Sequence, residues 1–374
     1  TGEAARRPAG PLPSAAPENS EAPDLDAAVS LLRQARRPVL LAGLEVAEPA
    51  AATGVRRLAE ALGCPVLVTY KAKGVVPDSH PLFAGIFTGG TLEAACVGEA
   101  DLIILAGLDP VELILQPWRY RAPVLDVARR PHPVHYTPMA AGAYGPLPAA
   151  LDALVAAAVR SGWTPAEIAR HRNAMRHALA WTGSGGVAPP RVVELAQAAA
   201  RAHGRIPRIT VDAGAHMFSA TAFWECEAPR DLLISNGLAS MGFALPAAIA
   251  AALHDPARGA IAFTGDGGLM MCMAELATAA QTGAPAITVV FNDGALSLID
   301  IKQQQRQLAP AGVRWNRPDF ARVAEGFGVR GFRASDEPEY RTALREALAH
   351  DGPSLIDVRV DPAGYSAQLQ AMRG

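Results

Sequence analysis

The chain has 374 residues, of which 50% are hydrophobic and 19% charged, with 34 basic against 36 acidic side chains. That length and composition fit two or three domains with sizeable cores, and the near-neutral balance gives no electrostatic reason to expect nucleic acid or a membrane surface. No apolar run approaches the roughly 20 residues of a membrane-spanning helix. Cys64, Cys96, Cys226 and Cys272 are too scattered, with no CxxC pair, for a disulfide scaffold or a zinc site. They read as buried structural thiols in a reducing cytoplasm.

Residues 1–23 are rich in Pro, Ala and Glu and offer little to bury. They lack the apolar core of a signal peptide and an initiating Met, so they read as a tail or linker at the trimmed or internal end of a longer product. A strand–helix alternation follows. Pro38–Gly43, Pro65–Tyr70, Asp101–Gly107 and Val124–Val127 are short apolar runs of the kind buried on both faces of a parallel sheet. Helical stretches separate them at Ala50–Leu62, which meets a capping glycine at Gly63, and near Leu92–Val97. The Pro/His/Gly-rich stretch Ala128–Pro148, helices near Ala149–Val159 and Pro165–Trp181, and the Gly/Pro stretch Gly183–Pro190 lead to a second domain. The division expected is a tail over 1–23, a first α/β domain over 24–160, a connecting helix and linker over 161–190, and a second α/β domain over 191–374.

The second domain alternates again. A helix at Arg191–His203 leads to a strand at Arg208–Val211, a helix from about Ala215, a short strand at Leu232–Ser235 and a small-residue helix around Pro246–Leu253. Strand Ala260–Thr264, helix Met271–Thr282 and strand Ala286–Phe291 follow. Helices at Pro318–Phe327 and Pro338–Ala349 and a strand at Ser354–Val360 complete it. The fold class expected is therefore α/β, with two three-layer parallel-sheet domains, the first of them Rossmann-like.

Chemistry concentrates at two strand ends of this second domain. The run Ala260–Thr264 ends in Gly265-Asp266-Gly267-Gly268, a carboxylate between glycines beyond the carboxyl end of a buried strand, where open α/β sheets bind ligands. Glycines let backbone N–H groups approach a phosphate, and a helix starting beside them turns its positive N-terminus to the same place. The next strand ends in Asn292-Asp293 before Gly294, so neighbouring strand tips deliver Asp266 and Asp293 to one crevice. A diphosphate with Mg²⁺ suits that pair, because Mg²⁺ takes one or two carboxylates beside phosphate oxygens. Either motif alone is a common turn; both on consecutive strands, with one helix between, are specific.

Gly265-Asp266-Gly267, a gap of about 25 residues and Asn292-Asp293 resemble the signature of thiamine-diphosphate-dependent enzymes. Met273–Ala279 and Asn236–Ala248 narrow the likeness to the acetolactate synthase and benzoylformate decarboxylase superfamily. The resemblance implies that Asp266 and Asp293 are Mg²⁺ ligands, with the backbone carbonyl of Ala295 a third; relatives often carry Asn where Asp293 stands. It places Gly265, Gly267 and Gly268 in the diphosphate-binding turn. Many relatives have Ser in place of Gly268, so one hydroxyl contact would be missing here. Val211–His216 matches the turn that holds the other side of the diphosphate through Gly214, Ala215 and His216, although read alone His216 is an ordinary core or surface histidine. Met241 matches the apolar residue that wedges beneath the cofactor and imposes its V shape, and read alone is core packing. The carbonyl of Ala239 matches the acceptor for the cofactor's 4′-amino group. Leu298, Ile299 and Lys302, on the helix after the second ligand, correspond to substrate-facing positions. Acetolactate synthases have a tryptophan where Lys302 stands, so a polar or anionic substrate and a merely solvated helix face are both open.

The resemblance covers Asp24 to about Asp361 and implies that part of the site is elsewhere. Family members of this type begin with a pyrimidine-binding domain whose glutamate protonates the cofactor at N1′, and this chain starts just after the matching point. Glu275 reads as structural and does not replace that glutamate. The expected role is the diphosphate- and Mg²⁺-binding subunit of a 2-keto acid decarboxylase or carboligase, nearly inactive until a partner chain, or a part lost from this one, completes the site, in a homo- or hetero-oligomer. The alternatives are an acyl-CoA lyase of the same superfamily and a non-catalytic relative serving as a nucleotide- or partner-binding module. The family's central domain binds FAD in some members, ADP in others and nothing in many. Here no GxGxxG is present, and Gly43, Gly107 and Phe87–Thr91 read as strand-end turns in preference to a nucleotide crevice.

Overall fold

The computed structural model describes residues 25–114, 116–132, 137–183, 185–235 and 237–374, so the expected tail and Asn236 lie outside the described residues. The first half runs α1 (Asp26–Gln34), β1 (Pro38–Ala42), α2 (Pro49–Leu62), β2 (Val66–Val68), β3 (Phe83–Ile86), α3 (Ala94–Val97), β4 (Leu102–Ala106), β5 (Val124–Ala128), β6 (Ala141–Tyr144) and α4 (Leu147–Ala157). Its strands pair in parallel in the order β3-β2-β1-β4-β5-β6, the doubly wound order of dinucleotide-binding folds. Every residue of β1, β2, β4 and β5 is buried, which is why these strands are unbroken apolar runs. α2 opens on Pro49 and closes at Gly63, whose φ of 62° is the left-handed cap that glycine adopts at least cost.

The second half runs α5 (Pro165–Leu179), α6 (Pro189–His203), β7 (Arg208–Val211), α7 (His216–Phe223), β8 (Leu232–Ile234), α8 (Ala244–His254), β9 (Ala260–Gly265), α9 (Asp266–Cys272), α10 (Glu275–Thr282) and β10 (Ala286–Asn292). It continues through α11 (Ser297–Gln305), α12 (Phe320–Gly326), β11 (Arg330–Ala334), α13 (Glu337–Leu348), β12 (Ser354–Arg359) and α14 (Tyr365–Arg373). The second sheet is also all parallel, in the order β11-β12-β10-β9-β7-β8. Among the described residues no helix is long and apolar enough to cross a membrane.

The structure departs from the sequence reading in several places. β3, β6 and β11 are sheet edges that lack a long apolar run, and α1 and α14 are additional helices. The single helix expected over 271–282 is two. α9 already starts at Asp266, and the i→i+3 bonds Leu276 N to Met273 O and Ala277 N to Ala274 O, both 3.0 Å, tighten the chain before α10 continues. The Gly/Pro stretch before α6 is tethered, since Val187 forms a one-residue parallel bridge with Val360.

The two halves are clasped together. α5 lies between them, packing on β3 from one side and on α7 and α14 from the other. Asp78 N–H donates to Cys226 O (2.9 Å), and Cys226 N–H returns a bond to Asp78 Oδ2 (3.2 Å). A second clasp holds α14. Thr91 N–H donates to Met372 O (2.9 Å), Thr91 Oγ1 to Ala371 O (2.8 Å) and Gln116 Nε2 to Arg373 O (3.3 Å). These bonds satisfy the orphan carbonyls at the end of that helix. The approach is close: a Cβ on Gly90 would lie 1.9 Å from Met372 O. The Phe87–Thr91 loop, weighed above as a nucleotide-binding turn, is thus committed to the C-terminal helix.

Candidate active site

The order of the second sheet sets the site. β8 is added on one side of β7, while β9 and β10 are added on the other, so the strand order reverses between β7 and β9. Open α/β sheets have a crevice at such a switch point, beyond the strand carboxyl ends. A cavity of about 290 Å³ occupies it. α7, α9 and α11 all begin at its wall, so the positive ends of their helix dipoles lie beside it. The β7–α7 turn contributes Gly214, Ala215 and His216, and the loop before α8 contributes Ala239 and Met241. The β9–α9 turn contributes Gly265, Asp266, Gly267 and Gly268, and the β10–α11 segment Asp293, Ala295, Leu298, Ile299 and Lys302. The structure therefore places every candidate residue on one cavity.

Asp266 is 1% exposed. Its Oδ1 accepts from Gly267 N–H and its Oδ2 from Gly294 N–H, each at 2.7 Å. Asp293 accepts from Ala295 N–H (3.1 Å) and Ser297 Oγ (2.5 Å). Burial first and the charge of Asp293 second push the Asp266 carboxyl up to about 7; burial also raises Asp293. Two desolvated carboxylates facing one cavity favour a proton or a cation between them. Among the described residues no cluster of three His, Cys, Asp or Glu side chains is placed to hold a metal, so a cation here would draw further oxygens from backbone carbonyls or a ligand. Asn292 turns away: its Nδ2 donates to Asp357 Oδ1 (2.8 Å) and Pro318 O (3.1 Å), pinning β10 to β12.

The sequence reading missed Asp212, the residue that organises the cavity. It is fully buried at the tip of β7. Oδ1 accepts from Ala244 N–H (2.6 Å), while Oδ2 accepts from Gly242 N–H (3.1 Å) and Thr264 Oγ1 (2.6 Å). One carboxylate thus ties the 239–244 loop to the tips of β7 and β9. It also explains Gly268, where a Cβ would come within 2.2 Å of Asp212 Oδ2 and 2.9 Å of Thr264 Oγ1. A serine at 268 would collide with this carboxylate before it could offer a hydroxyl. In the loop so held, Ala239 has φ 51°, a left-handed conformation that non-glycine residues adopt at a cost and that concentrates at functional sites.

His216 packs its ring against Phe291, with centroids 5.2 Å apart. Burial lowers the imidazole to about 4 against the opposing pull of Asp212, so the ring is neutral at pH 7. Its Nε2 is buried without a hydrogen-bond partner among the described residues. An unpaired buried polar atom on a cavity is a place for a ligand atom. α14 adds Tyr365 and Arg373 to the wall, and Phe291, Leu296 and Ser297 complete positions the sequence did not single out. The apolar spacing Tyr365, Leu369, Met372 was the available signal for that helix. Cys64, Cys96 and Cys226 are buried free thiols; Cys272 is only half-buried, with Sγ 3.5 Å from Gly268 O, a correction to the expectation of four buried thiols. In the first domain the Gly43 and Gly107 turns pack on one another, a Cβ on Gly43 falling 2.5 Å from Gly107 O, and Glu112 takes the Leu44 N–H at 2.8 Å.

Comparison with known proteins agrees with this geometry. Residues 25–154 match the thiamine pyrophosphate enzyme central domain, and residues 212–358 the C-terminal TPP-binding domain. The chain is 30% identical over 354 residues to a probable acetolactate synthase large subunit of Methanocaldococcus jannaschii, covering 90% of this chain and 59% of that one. It is 30% identical over 376 residues to the acetolactate synthase isozyme 1 large subunit of Escherichia coli, covering 93% and 62%. It thus spans about three fifths of these curated relatives. A solved structure, the thiamine diphosphate-dependent 4-hydroxybenzoylformate decarboxylase of Rhodococcus jostii, shares the fold, with a TM-score of 0.73 at 23% identity over 93% of this chain and 66% of that one. With both domain matches falling on the two sheets described above, the chain belongs to the thiamine pyrophosphate enzymes, of which it carries the central and the C-terminal TPP-binding domains.

Proposed function

We propose that this chain provides the diphosphate- and Mg²⁺-binding half of a 2-keto acid decarboxylase or carboligase. The observation that carries the reading is the pairing of Asp266 and Asp293 at adjacent strand tips, in one cavity with the unpartnered His216 Nε2 and three helix N-termini. That donor set suits a polyanion bridged by a hard cation. Asp266, Asp293 and the Ala295 carbonyl would hold Mg²⁺. Gly214, Ala215, His216 and the Gly265–Gly268 turn would line the diphosphate. The carbonyl of Ala239 would accept from the cofactor's amino group, while Met241 would fill the space beneath its rings. Thiamine diphosphate, when bound, supplies the nucleophilic carbon and the electron sink for loss of CO₂. The protein's part is to orient, to neutralise charge and to exclude water.

The site would be completed by a pyrimidine-binding domain with its activating glutamate, from a partner chain or another part of a longer product. Leu238 beside the cavity is 91% exposed and Met271 is 64% exposed, with Met273 also uncovered. These exposed apolar side chains near the cavity support a covering polypeptide. Calorimetric titration tests the reading: thiamine diphosphate should bind the purified chain only with Mg²⁺, and Asp266→Ala should abolish that binding. The chain alone should turn over 2-keto acids negligibly until the pyrimidine-binding domain is added. Vigorous turnover by the chain alone would refute the need for it.

A further inference from the structure

Two cations, Lys302 and Arg373, share the cavity, and neither forms an ion pair among the described residues. Leu298 and Lys302 lie one turn apart on α11, and both line the cavity beside Ile299. α14 packs against α11 and brings Arg373 to the same wall. Among the described residues neither cation has an acidic partner, and Arg373 Nε is buried without any hydrogen-bond partner. The nearby acids are engaged elsewhere. Asp300, the acid of α11, holds Arg314 (2.8 Å) and Gln304 (2.9 Å), while Asp266 and Asp293 take backbone N–H groups and Ser297. Partial burial and then the charge of Arg373 weaken the hold of Lys302 on its proton, as expected of like charges left facing one another. The arrangement is also fixed in place. Gln368 anchors α14 to Leu179 O (2.6 Å) and Ser219 Oγ (3.2 Å), and the first domain binds its last three carbonyls.

We infer that Lys302 and Arg373 form a subsite for a second anionic group of the substrate, one remote from the 2-keto carboxylate. This rests on the reading of the cavity as a thiamine-diphosphate site. The departing carboxylate itself is a poor occupant: two ion pairs would stabilise it in the ground state and oppose its loss, whereas a remote anion can stay bound throughout the reaction. The substrate class is then a 2-keto acid carrying a further carboxylate or an equivalent anion, not a simple aliphatic one.

The test uses the full chain loaded with thiamine diphosphate and Mg²⁺, and two probes that differ chiefly in a terminal carboxylate, 2-oxoglutarate and 2-oxopentanoate. Calorimetry should show 2-oxoglutarate binding about tenfold or more tightly, the scale of one charged hydrogen-bonded contact. Lys302→Met and Arg373→Met should each remove most of that preference, Lys302→Arg should keep it, and cofactor affinity should be unchanged in all three. Equal affinity for the two probes, no binding of either, or a preference that survives the double Met variant would overturn the inference. Failure of the cofactor reading is seen separately, as loss of Mg²⁺-dependent thiamine diphosphate binding by the wild-type chain. The probes are then titrated without cofactor, where the cation pair alone still predicts the dianion preference.

Discussion

Replacing Asp212 by Asn changes no volume yet should disable the cavity. The carboxylate accepts three bonds, from Gly242 N–H, Ala244 N–H and Thr264 Oγ1. An amide offers one oxygen, so whichever way it turns, its NH₂ faces a backbone N–H and leaves a buried donor unsatisfied. That costs about 1–3 kcal/mol, and replacing a charge-assisted bond by a neutral one adds about 1 kcal/mol. A loss of about 2–4 kcal/mol in a domain of this size lowers the melting temperature by about 5–10 °C. The loop that loosens carries Ala239 in its left-handed conformation together with Met241, so thiamine diphosphate affinity should fall by about tenfold or more. Thr264→Val is the control. It removes one donor but leaves both bonds to the loop, so it should cost about 1 kcal/mol and leave cofactor affinity within a few-fold. Differential scanning calorimetry and cofactor titration read both variants. An Asp212→Asn chain that melts with the wild type and binds cofactor equally well would refute the organising role of this carboxylate.

Asp266, raised to about 7, holds its proton more tightly in the metal-free folded chain than in the unfolded one, whose value is near 3.8. Its contribution to stability is therefore full below about pH 4 and is lost as pH rises through 7, and Asp266→Asn should remove that share of the slope in urea titrations. Mg²⁺ needs the ionised form, so Mg²⁺-dependent cofactor binding should weaken by up to about tenfold per pH unit below 7. A pH-independent affinity from pH 5.5 to 8.5 would contradict this. Gly268→Ser, despite adding the hydroxyl common in relatives, should destabilise by about 1–3 kcal/mol because its Cβ would meet Asp212 Oδ2 at 2.2 Å; tighter cofactor binding would argue against it. Gly90→Ala should push on Met372 O, 1.9 Å from the new Cβ, and accelerate amide exchange throughout α14 while β1 and β4 exchange as before.

What the sequence disclosed follows from where each element lies. Strands β1, β2, β4, β5 and β10, covered on both faces, are continuous apolar runs and were legible with small shifts at their ends. β11 was not, because its outer position leaves Arg330 and Arg333 exposed and interrupts the apolar pattern. Gly85 similarly breaks β3, where a Cβ would strike Met175 Sδ at 2.4 Å. Asp266 and Asp293 could be read as a pair because strand tips are local in sequence and their strands are neighbours in the sheet. Asp212 could not, since its meaning lies in partners 30 to 52 residues away. Nor could the meeting of Lys302 with Arg373, which depends on how the last helix is clasped.

That clasp makes the second domain dependent on the first. A cut between α4 and α6 would leave both sheets whole, but it would take away Thr91 and Gln116, which hold the last three carbonyls of α14. The excised cofactor domain would keep Asp266, Asp293 and Asp212 in register while the wall bearing Arg373 drifted open. Such a fragment would fold around its sheet and still be a poor guide to substrate preference, because one side of the cavity is shaped by residues of the domain it had lost.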